Sequence, residues 1–174
     1  MFSFVTLKDR PRAAVLVVAV MVIGFGASNF TAAPQARAGD LAPDHIAATS
    51  QAFFDTMNAG DMEAWIATLS PDVVSYEPVG SPPNRGHDGL MAWAQANAQM
   101  GFQSVVVEVH RIIVAGAHAA ITWTTEFTLP DGRVVAIEGV DTHAFDEAGL
   151  IREINGYFDP SPLMAAMAPP ADTQ

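Results

Sequence analysis

The sequence predicts an α+β fold in which three N-terminal helices cover a cone-shaped, curved antiparallel sheet and enclose an apolar pocket. The order of elements carries this prediction: helix, helix, short strand, helix, and then four β-rich segments. The β-rich segments follow one another after short turns, which is typical of an antiparallel meander. Half of the 174 residues are hydrophobic and 16% are charged, so the chain has the composition of a globular protein.

The helices are predicted from apolar residues that recur at helical spacing. The first is expected to begin at Pro43, and Gly60 fits the position just beyond its end. Asp61 is placed to cap a second, shorter helix. A loop rich in Pro and Gly then leads to a third helix over about 88–100.

The strands are predicted from β-rich runs bounded by turn residues. A short strand is expected over Val73–Glu77, after a break at Ser70-Pro71-Asp72. The four segments of the meander are Ser104–Val114, His118–Leu129, Val134–Phe145 and Leu150–Phe158. From Pro160 onward no periodic pattern remains, so residues 160–174 are predicted to be a flexible tail.

The first 38 residues have the pattern of a signal peptide. A basic stretch precedes the apolar run Ala13–Ala27, and Ala36-Arg37-Ala38 forms an A-x-A cleavage site before Gly39. We therefore expect a cleaved signal over residues 1–38, a linker over 39–44, and export to the periplasm or beyond, with no membrane association after cleavage. A retained anchor is the alternative, but the apolar run is shorter than the ~20 residues of a spanning helix.

The remaining chain is strongly acidic. Residues 39–174 carry four arginines, no lysine and eighteen acidic residues, which gives a net charge of −14. Such a surface repels phosphate backbones, so nucleic acid is not an expected partner. The absence of lysine excludes Schiff-base and phosphate-loop lysine chemistry, and no cofactor is expected.

Asp141 is the most informative residue of the β region. It shares a strand face with Ile137 and Phe145, where carboxylates are disfavoured. A carboxyl group buried there must be paired or neutral, because loss of solvation raises its pKa. This predicts a functional acid at a pocket wall. The alternatives are that Asp141 lies on the solvent face or pairs with Arg111.

Glu77 is the second candidate. It ends a short strand and precedes Pro78, which favours an extended backbone and fixes where the side chain leaves the strand. Two carboxyl groups in different environments can divide acid and base roles between them. The alternative is an ordinary solvent-facing glutamate.

Other chemistry has little support in the sequence. The five histidines are not spaced as metal ligands, so no metal site is predicted. No serine lies in a G-x-S-x-G turn. The residues predicted to line the pocket are Phe54, Trp65, Met91, Trp93, Trp123, His143 and Phe158.

Several motifs are spread over about residues 45–159, the expected domain. They are Asn58-Ala59-Gly60-Asp61, the stretch from Leu69 to Val74, Glu77-Pro78-Val79-Gly80-Ser81-Pro82-Pro83 with Gly86, Val140 to Gly149, and the closing strand to Tyr157-Phe158. Together they resemble ketosteroid isomerase. The wider superfamily includes nuclear transport factor 2, polyketide cyclases of the SnoaL type, scytalone dehydratase and limonene epoxide hydrolase. The resemblance implies the nuclear transport factor 2-like fold, whose open mouth holds an apolar ligand.

The resemblance also implies roles for three residues. The family's protonated aspartate falls on Asp141, its aspartate base on Glu77, and its first-helix tyrosine on Phe54. Acid/base proton transfer next to a carbonyl of an apolar substrate is thus the first functional hypothesis, with a SnoaL-like cyclase or hydratase activity beside it. The others are a non-catalytic protein that binds an apolar ligand and a partner-binding module. A homodimer through the sheet is a further expectation.

Overall fold

The computed structural model describes residues 41–168, and the predicted signal sequence therefore lies outside the described residues. The helices are α1 (Pro43–Ala59), α2 (Met62–Ala67), α3 (Gly86–Ala98) and α4 (Ser161–Met167). The strands are β1 (Leu69–Tyr76), β2 (Asn84–Arg85), β3 (Ser104–Ala115), β4 (His118–Thr128), β5 (Val134–Phe145) and β6 (Ile151–Phe158). Within this range, no helix is both long and apolar enough to cross a membrane.

Helix α1 ends, and helix α2 begins, where the sequence predicts. Gly60 has φ of 69°, a left-handed conformation that glycine adopts without strain, and its N–H donates to the carbonyl of Met57. The Asp61 side chain then accepts a hydrogen bond from the Ala64 N–H at 3.0 Å and caps α2. Helix α1 begins at Pro43 as predicted, so the stretch 39–44 that was assigned to a linker includes its first two residues.

All six strands form one sheet in the order β2-β1-β6-β5-β4-β3. The predicted meander of β3 to β6 is confirmed, since each of these strands pairs antiparallel with the next. Register shifts between Val109 and Arg111 and between Ala144 and Phe145 mark irregularities that bend a sheet.

The prediction of a wholly antiparallel sheet is wrong for β1. This strand runs from Leu69 through the predicted break to Tyr76 and pairs parallel with β6, so the sheet is mixed. Its pairing shifts register between Leu69 and Val74, and Pro71 lies within that irregular stretch. Proline has no N–H to donate to a ladder, which explains how a strand can include it there.

Helix α1 lies against the inner face of the sheet. Near its end, the Asn58 side chain donates to the Val107 carbonyl at 2.8 Å and accepts from the Val107 N–H at 2.9 Å. This reciprocal pair joins α1 to β3. The core between helices and sheet contains, among others, Ile46, Phe53, Phe54, Trp65, Ile121, Phe145, Ile151 and Ile154.

Part of the predicted flexible tail, residues 160–174, is helical, and residues 169–174 lie outside the described residues. Residues 161–167 form α4, and Leu163 is buried. The Arg133 Nη2 donates to the Ala166 carbonyl at 2.9 Å, near the end of this helix. A helix of seven residues with one buried side chain has too little periodicity to predict from sequence.

Candidate active site

A cavity of about 610 Å³ lies between the helices and the inner face of the sheet. Most of its lining is apolar, and none of the described residues that line it is a lysine, arginine or histidine. Its ionisable side chains are Glu77 and Asp141. An anionic ligand would find no counter-charge in such a cavity, and a neutral apolar ligand would replace water favourably.

Asp141 lies in the middle of β5 on the inner face of the sheet and is 4% exposed. The alternation that placed it with Ile137 and Phe145 is thus observed, and both of those side chains are buried as well. No arginine contacts it among the described residues. Its partner is the indole of Trp123, whose Nε1 donates to Oδ1 at 2.9 Å.

Glu77 follows β1, which β6 separates from β5, and it reaches the same part of the cavity. Its Oε1 accepts a hydrogen bond from the Ser75 hydroxyl at 3.2 Å. Its carboxyl group lies against Gly156 on β6, the residue paired with Asp141 across the sheet. A Cβ at position 156 would lie 3.1 Å from the Glu77 Cδ and would overlap one carboxyl oxygen. The glycine therefore makes room for Glu77 beside Asp141.

Both carboxyl groups hold protons more tightly than ordinary carboxyls. Burial raises the pKa of Asp141 from 3.8 to about 7, although the hydrogen bond from Trp123 acts in the opposite direction. Burial and then the negative charge of Asp141 raise the pKa of Glu77 well above 4.5, and the Ser75 hydrogen bond opposes this. Around neutral pH the two groups form a coupled pair in which ionisation of one disfavours ionisation of the other.

Five of the seven side chains predicted to line the pocket do so: Phe54, Trp65, Trp93, Trp123 and Phe158. Phe54 is 2% exposed and stacks on His143, with ring centroids 5.9 Å apart. Position 54 thus brings an aromatic ring to the cavity but no hydroxyl group.

The other two lie elsewhere. Met91 is 38% exposed and lines a second groove with Asp88 and Gln95, outside the cavity lining. His143 is fully buried behind the cavity wall, where its Nδ1 is 3.2 Å from the Ser50 hydroxyl oxygen. Burial lowers the pKa of His143 to about 3, so its ring is neutral at physiological pH.

Several cavity residues were not predicted. Ser75 lies two residues before Glu77, and strand alternation would have placed the two on one face. Met57 is a full helical turn beyond Phe53, so the helical stripe also contained a signal for it. Leu163 and Met164 come from α4, and no sequence pattern connects that segment to the cavity.

The potential metal ligands of the described residues are dispersed. Among residues 41–168, no three His, Asp or Glu side chains converge in a group that could hold a metal ion. The described cavity therefore presents its two carboxyl groups as the ionisable chemistry available to a bound ligand.

A curved sheet with helices on one face and a ligand-sized apolar cavity between them is the nuclear transport factor 2-like fold. Residues 50–154 match the SnoaL-like domain family. The chain belongs to this family.

Solved structures agree with this fold. An NTF2-like protein of unknown function from Burkholderia pseudomallei is 18% identical with a TM-score of 0.66, and the match covers 72% of this chain and 98% of that one. The Δ5-3-ketosteroid isomerase from Mycobacterium sp. is 27% identical with a TM-score of 0.60, covering 68% and 95%. A Mycobacterium tuberculosis protein in complex with estradiol-17β-hemisuccinate is 20% identical with a TM-score of 0.60, covering 68% and 96%. A protein of this fold thus binds a small, largely apolar ligand.

Proposed function

We propose that this protein is a small-molecule enzyme of ketosteroid isomerase type, which moves a proton next to a carbonyl group of an apolar substrate. The observation that carries the proposal is the pair of carboxyl groups, Glu77 and Asp141, side by side on the wall of an apolar cavity without a cationic side chain. The 27% identity to a ketosteroid isomerase supports the same reaction class.

The two carboxyl groups divide the work by their surroundings. Asp141 is almost fully buried, and it acts as the neutral acid that donates a hydrogen bond to the carbonyl oxygen. Glu77 is less completely buried than Asp141 and acts as the base while the one proton of the coupled pair resides on Asp141. It removes a proton from the carbon next to the carbonyl, which leaves an enolate whose oxygen is stabilised by Asp141. Glu77 then returns the proton to the γ-carbon of the resulting dienolate.

Two substitutions relative to the family pattern set the expected rate. Glutamate in place of aspartate moves the base by about the length of a methylene, and a misplacement of about 1 Å can slow a reaction on the order of a hundredfold. Loss of one oxyanion donor, as at Phe54, typically slows it by ~10²–10³. We therefore expect slow turnover of steroid substrates, with faster turnover of a substrate whose reactive carbon lies closer to Glu77.

The test uses β,γ-unsaturated ketones of increasing size, with conjugation followed by ultraviolet absorbance and α-proton exchange in D₂O by NMR. Native protein should catalyse both processes, and Glu77→Gln should abolish them while binding is retained. The matched control is Glu126→Gln, which removes an exposed carboxylate on β4 and should change nothing. Equal rates in native protein and Glu77→Gln would contradict the proposal.

A second candidate is a non-catalytic protein that binds apolar ligands. Phe54 favours it, because a hydroxyl group is absent where the family uses one. In this case the same ketones should raise the melting temperature of the protein without exchange or conjugation. A cyclase or hydratase of SnoaL-like type would use the same carboxyl pair, and it would show turnover of epoxide or hydroxy-ketone substrates that depends on both carboxyls.

We also propose a homodimer that forms through the outer face of the sheet. Val140 and Tyr157 are paired across β5 and β6, face away from the cavity, and are 37% and 53% exposed. Light scattering should give the mass of a dimer for the native chain and of a monomer for Tyr157→Glu. A monomeric native protein would overturn this arrangement.

A further inference from the structure

Trp123 stands out because its indole reaches along the sheet to a residue that is not its direct neighbour. On β4 it is paired with Gly139, whereas Asp141 is paired with Ile121. The ring nevertheless brings Nε1 to within 2.9 Å of the Asp141 Oδ1, and the side chain is 7% exposed. The indole N–H is a donor only, so this hydrogen bond satisfies the indole N–H and one of the two carboxyl oxygens.

Gly139 makes this path possible. A Cβ at position 139 would lie 2.9 Å from the indole Cε2 and closer still to two other ring carbons. Glycine in the interior of a strand weakens it, and its presence commonly marks a close approach by another group. Here the approaching group is the Trp123 ring, which passes over Gly139.

Phe158 fixes the ring from the third strand. It lies on β6 and pairs with Gly139 of β5. Its ring centroid is 5.6 Å from that of Trp123, and the two ring planes make an angle of 61°. Edge-to-face packing of this kind favours one orientation of the indole. Trp123, Gly139 and Phe158 thus form a row across three strands that aims Nε1 at Asp141.

The second oxygen of Asp141 remains available to a ligand. Oδ1 accepts from Trp123, while Oδ2 has no hydrogen-bond partner among the described residues, and Asp141 lines the cavity. A carboxyl group held at one oxygen presents the other in a fixed direction.

We propose that Trp123 is a positioning residue, which holds Asp141 at Oδ1 so that Oδ2 faces the carbonyl oxygen of the bound substrate. This inference rests on the proposed function. It deepens it, because it identifies how the acid is oriented in a chain that has Phe54 where the resemblance to ketosteroid isomerase implies a tyrosine. Trp123 itself does not contact the reacting atoms.

The titratable groups near Asp141 are few. Glu77 lies against Gly156 across the pairing with β6, and His143 is two residues further along β5 on the same face. The residues paired with Asp141 on β4 and β6 are Ile121 and Gly156, which do not titrate. A hydrogen bond from Trp123 favours the ionised form of Asp141, so its loss should move the Asp141 titration to higher pH.

The test compares native protein with Trp123→Phe and, as matched control, Trp93→Phe, which alters another cavity tryptophan. Asp141 is followed by carbon-13 NMR of its carboxyl group. In Trp123→Phe the midpoint of the Asp141 titration should rise by about one pH unit. In Trp93→Phe this midpoint should be the same as in native protein. Where turnover is present, kcat should fall about tenfold with little change in KM, and the loss of activity at high pH should begin about one pH unit higher. An unchanged midpoint in Trp123→Phe would overturn the inference.

Two further measurements keep the result independent of folding and of activity. The chain has three tryptophans, so native protein should show three indole N–H signals, and one of them should move with the Asp141 titration. Gly139→Ala retains Trp123 but displaces its ring, and should raise the midpoint as Trp123→Phe does. If no ketone is turned over, the proposed function fails, but these shifts still show whether Trp123 contacts Asp141. If none of the three indole N–H signals moves with the Asp141 titration, the contact between Trp123 and Asp141 is contradicted.

Discussion

At the level of single residues, Asp141 is a carboxylic acid on the apolar face of a strand, with an indole N–H as its hydrogen-bond partner. Strand alternation was sufficient to predict its burial, because it shares that face with Ile137 and Phe145. The identity of its partner was not predictable. Trp123 lies eighteen positions away on another strand, and its direction depends on space that Gly139 leaves open.

The raised pKa of Asp141 makes stability depend on pH. The folded chain holds a proton here up to about pH 7, whereas an unfolded aspartate releases it near 3.8. Between these values the folded state binds more protons, so stability falls as pH rises and does not recover above about pH 7. Asp141→Asn should reduce this fall and be more stable than the native chain at pH 8, by up to roughly 4 kcal/mol.

Urea unfolding at pH 5 and pH 8 measures this difference. Glu77 has the same sign of pKa change, so a smaller fall should remain in Asp141→Asn. Glu126→Gln serves as the control for removal of an exposed charge and should leave the fall unchanged. A native chain that is more stable than Asp141→Asn at pH 8 by several kcal/mol would speak against a raised pKa of Asp141.

Gly156 controls how closely Glu77 approaches Asp141. Ala at this position would overlap the Glu77 carboxyl, which is the movable end of a side chain, and its Cβ would lie 3.1 Å from Cε1 of Phe158. The fold should survive with the carboxyl displaced and a small shift of the Phe158 ring. We expect turnover of ketones to fall on the order of a hundredfold in Gly156→Ala, with a melting temperature close to native. The control is Gly89→Ala on α3, where a Cβ would meet the nearest atom at an ordinary 3.4 Å. Equal loss in both variants would show that Glu77 placement is not the cause.

At the level of elements, the spacing of apolar residues predicted the helices and strands that are long enough to show a repeat. Helices α1 to α3 and the meander of β3 to β6 carry many apolar positions at regular spacing, and each is present. The parallel pairing of β1 with β6 depends on a contact between distant parts of the chain, and no local pattern specifies it. The same holds for α4, because its one buried side chain packs against a cavity wall that other parts of the chain form.

Helix α4 should contribute to ligand binding. Leu163 is 7% exposed and lines the cavity, so Leu163→Ala removes apolar surface from the wall. We expect the Kd for an apolar ketone to rise about tenfold, because a lost contact of a few methylenes weakens binding by ~1–3 kcal/mol. Met167→Ala on the same helix is the control, since Met167 is exposed and is not part of the cavity lining. Isothermal titration calorimetry measures both, and an unchanged Kd in Leu163→Ala would place α4 outside the binding site.

At the level of the whole molecule, the chain combines an apolar cavity with a strongly acidic composition. Residues 39–174 have a net charge of −14, which favours solubility and disfavours anionic partners. We propose that the protein is exported and works in the periplasm or outside the cell. Its substrate would then be an apolar molecule that enters that compartment.

The export proposal fixes the first residue of the mature protein. Cleavage after Ala38 should leave Gly39 or a residue within a few positions of it at the N-terminus. Intact-mass measurement of the protein recovered from the periplasm or medium gives that position. A full-length mass recovered from a membrane fraction would instead indicate a retained anchor.

At the centre of the proposed site, Asp141 and Glu77 form a coupled carboxyl pair with raised pKa values in an apolar cavity. Carbon-13 NMR titration of native protein labelled at its Asp and Glu carboxyl groups tests it without any knowledge of the substrate. Asp141 should titrate with a midpoint near 7, and Glu77 should titrate well above 4.5. Midpoints near 4 for both groups would mean that water or a cation reaches them, and the acid/base site would lose its basis.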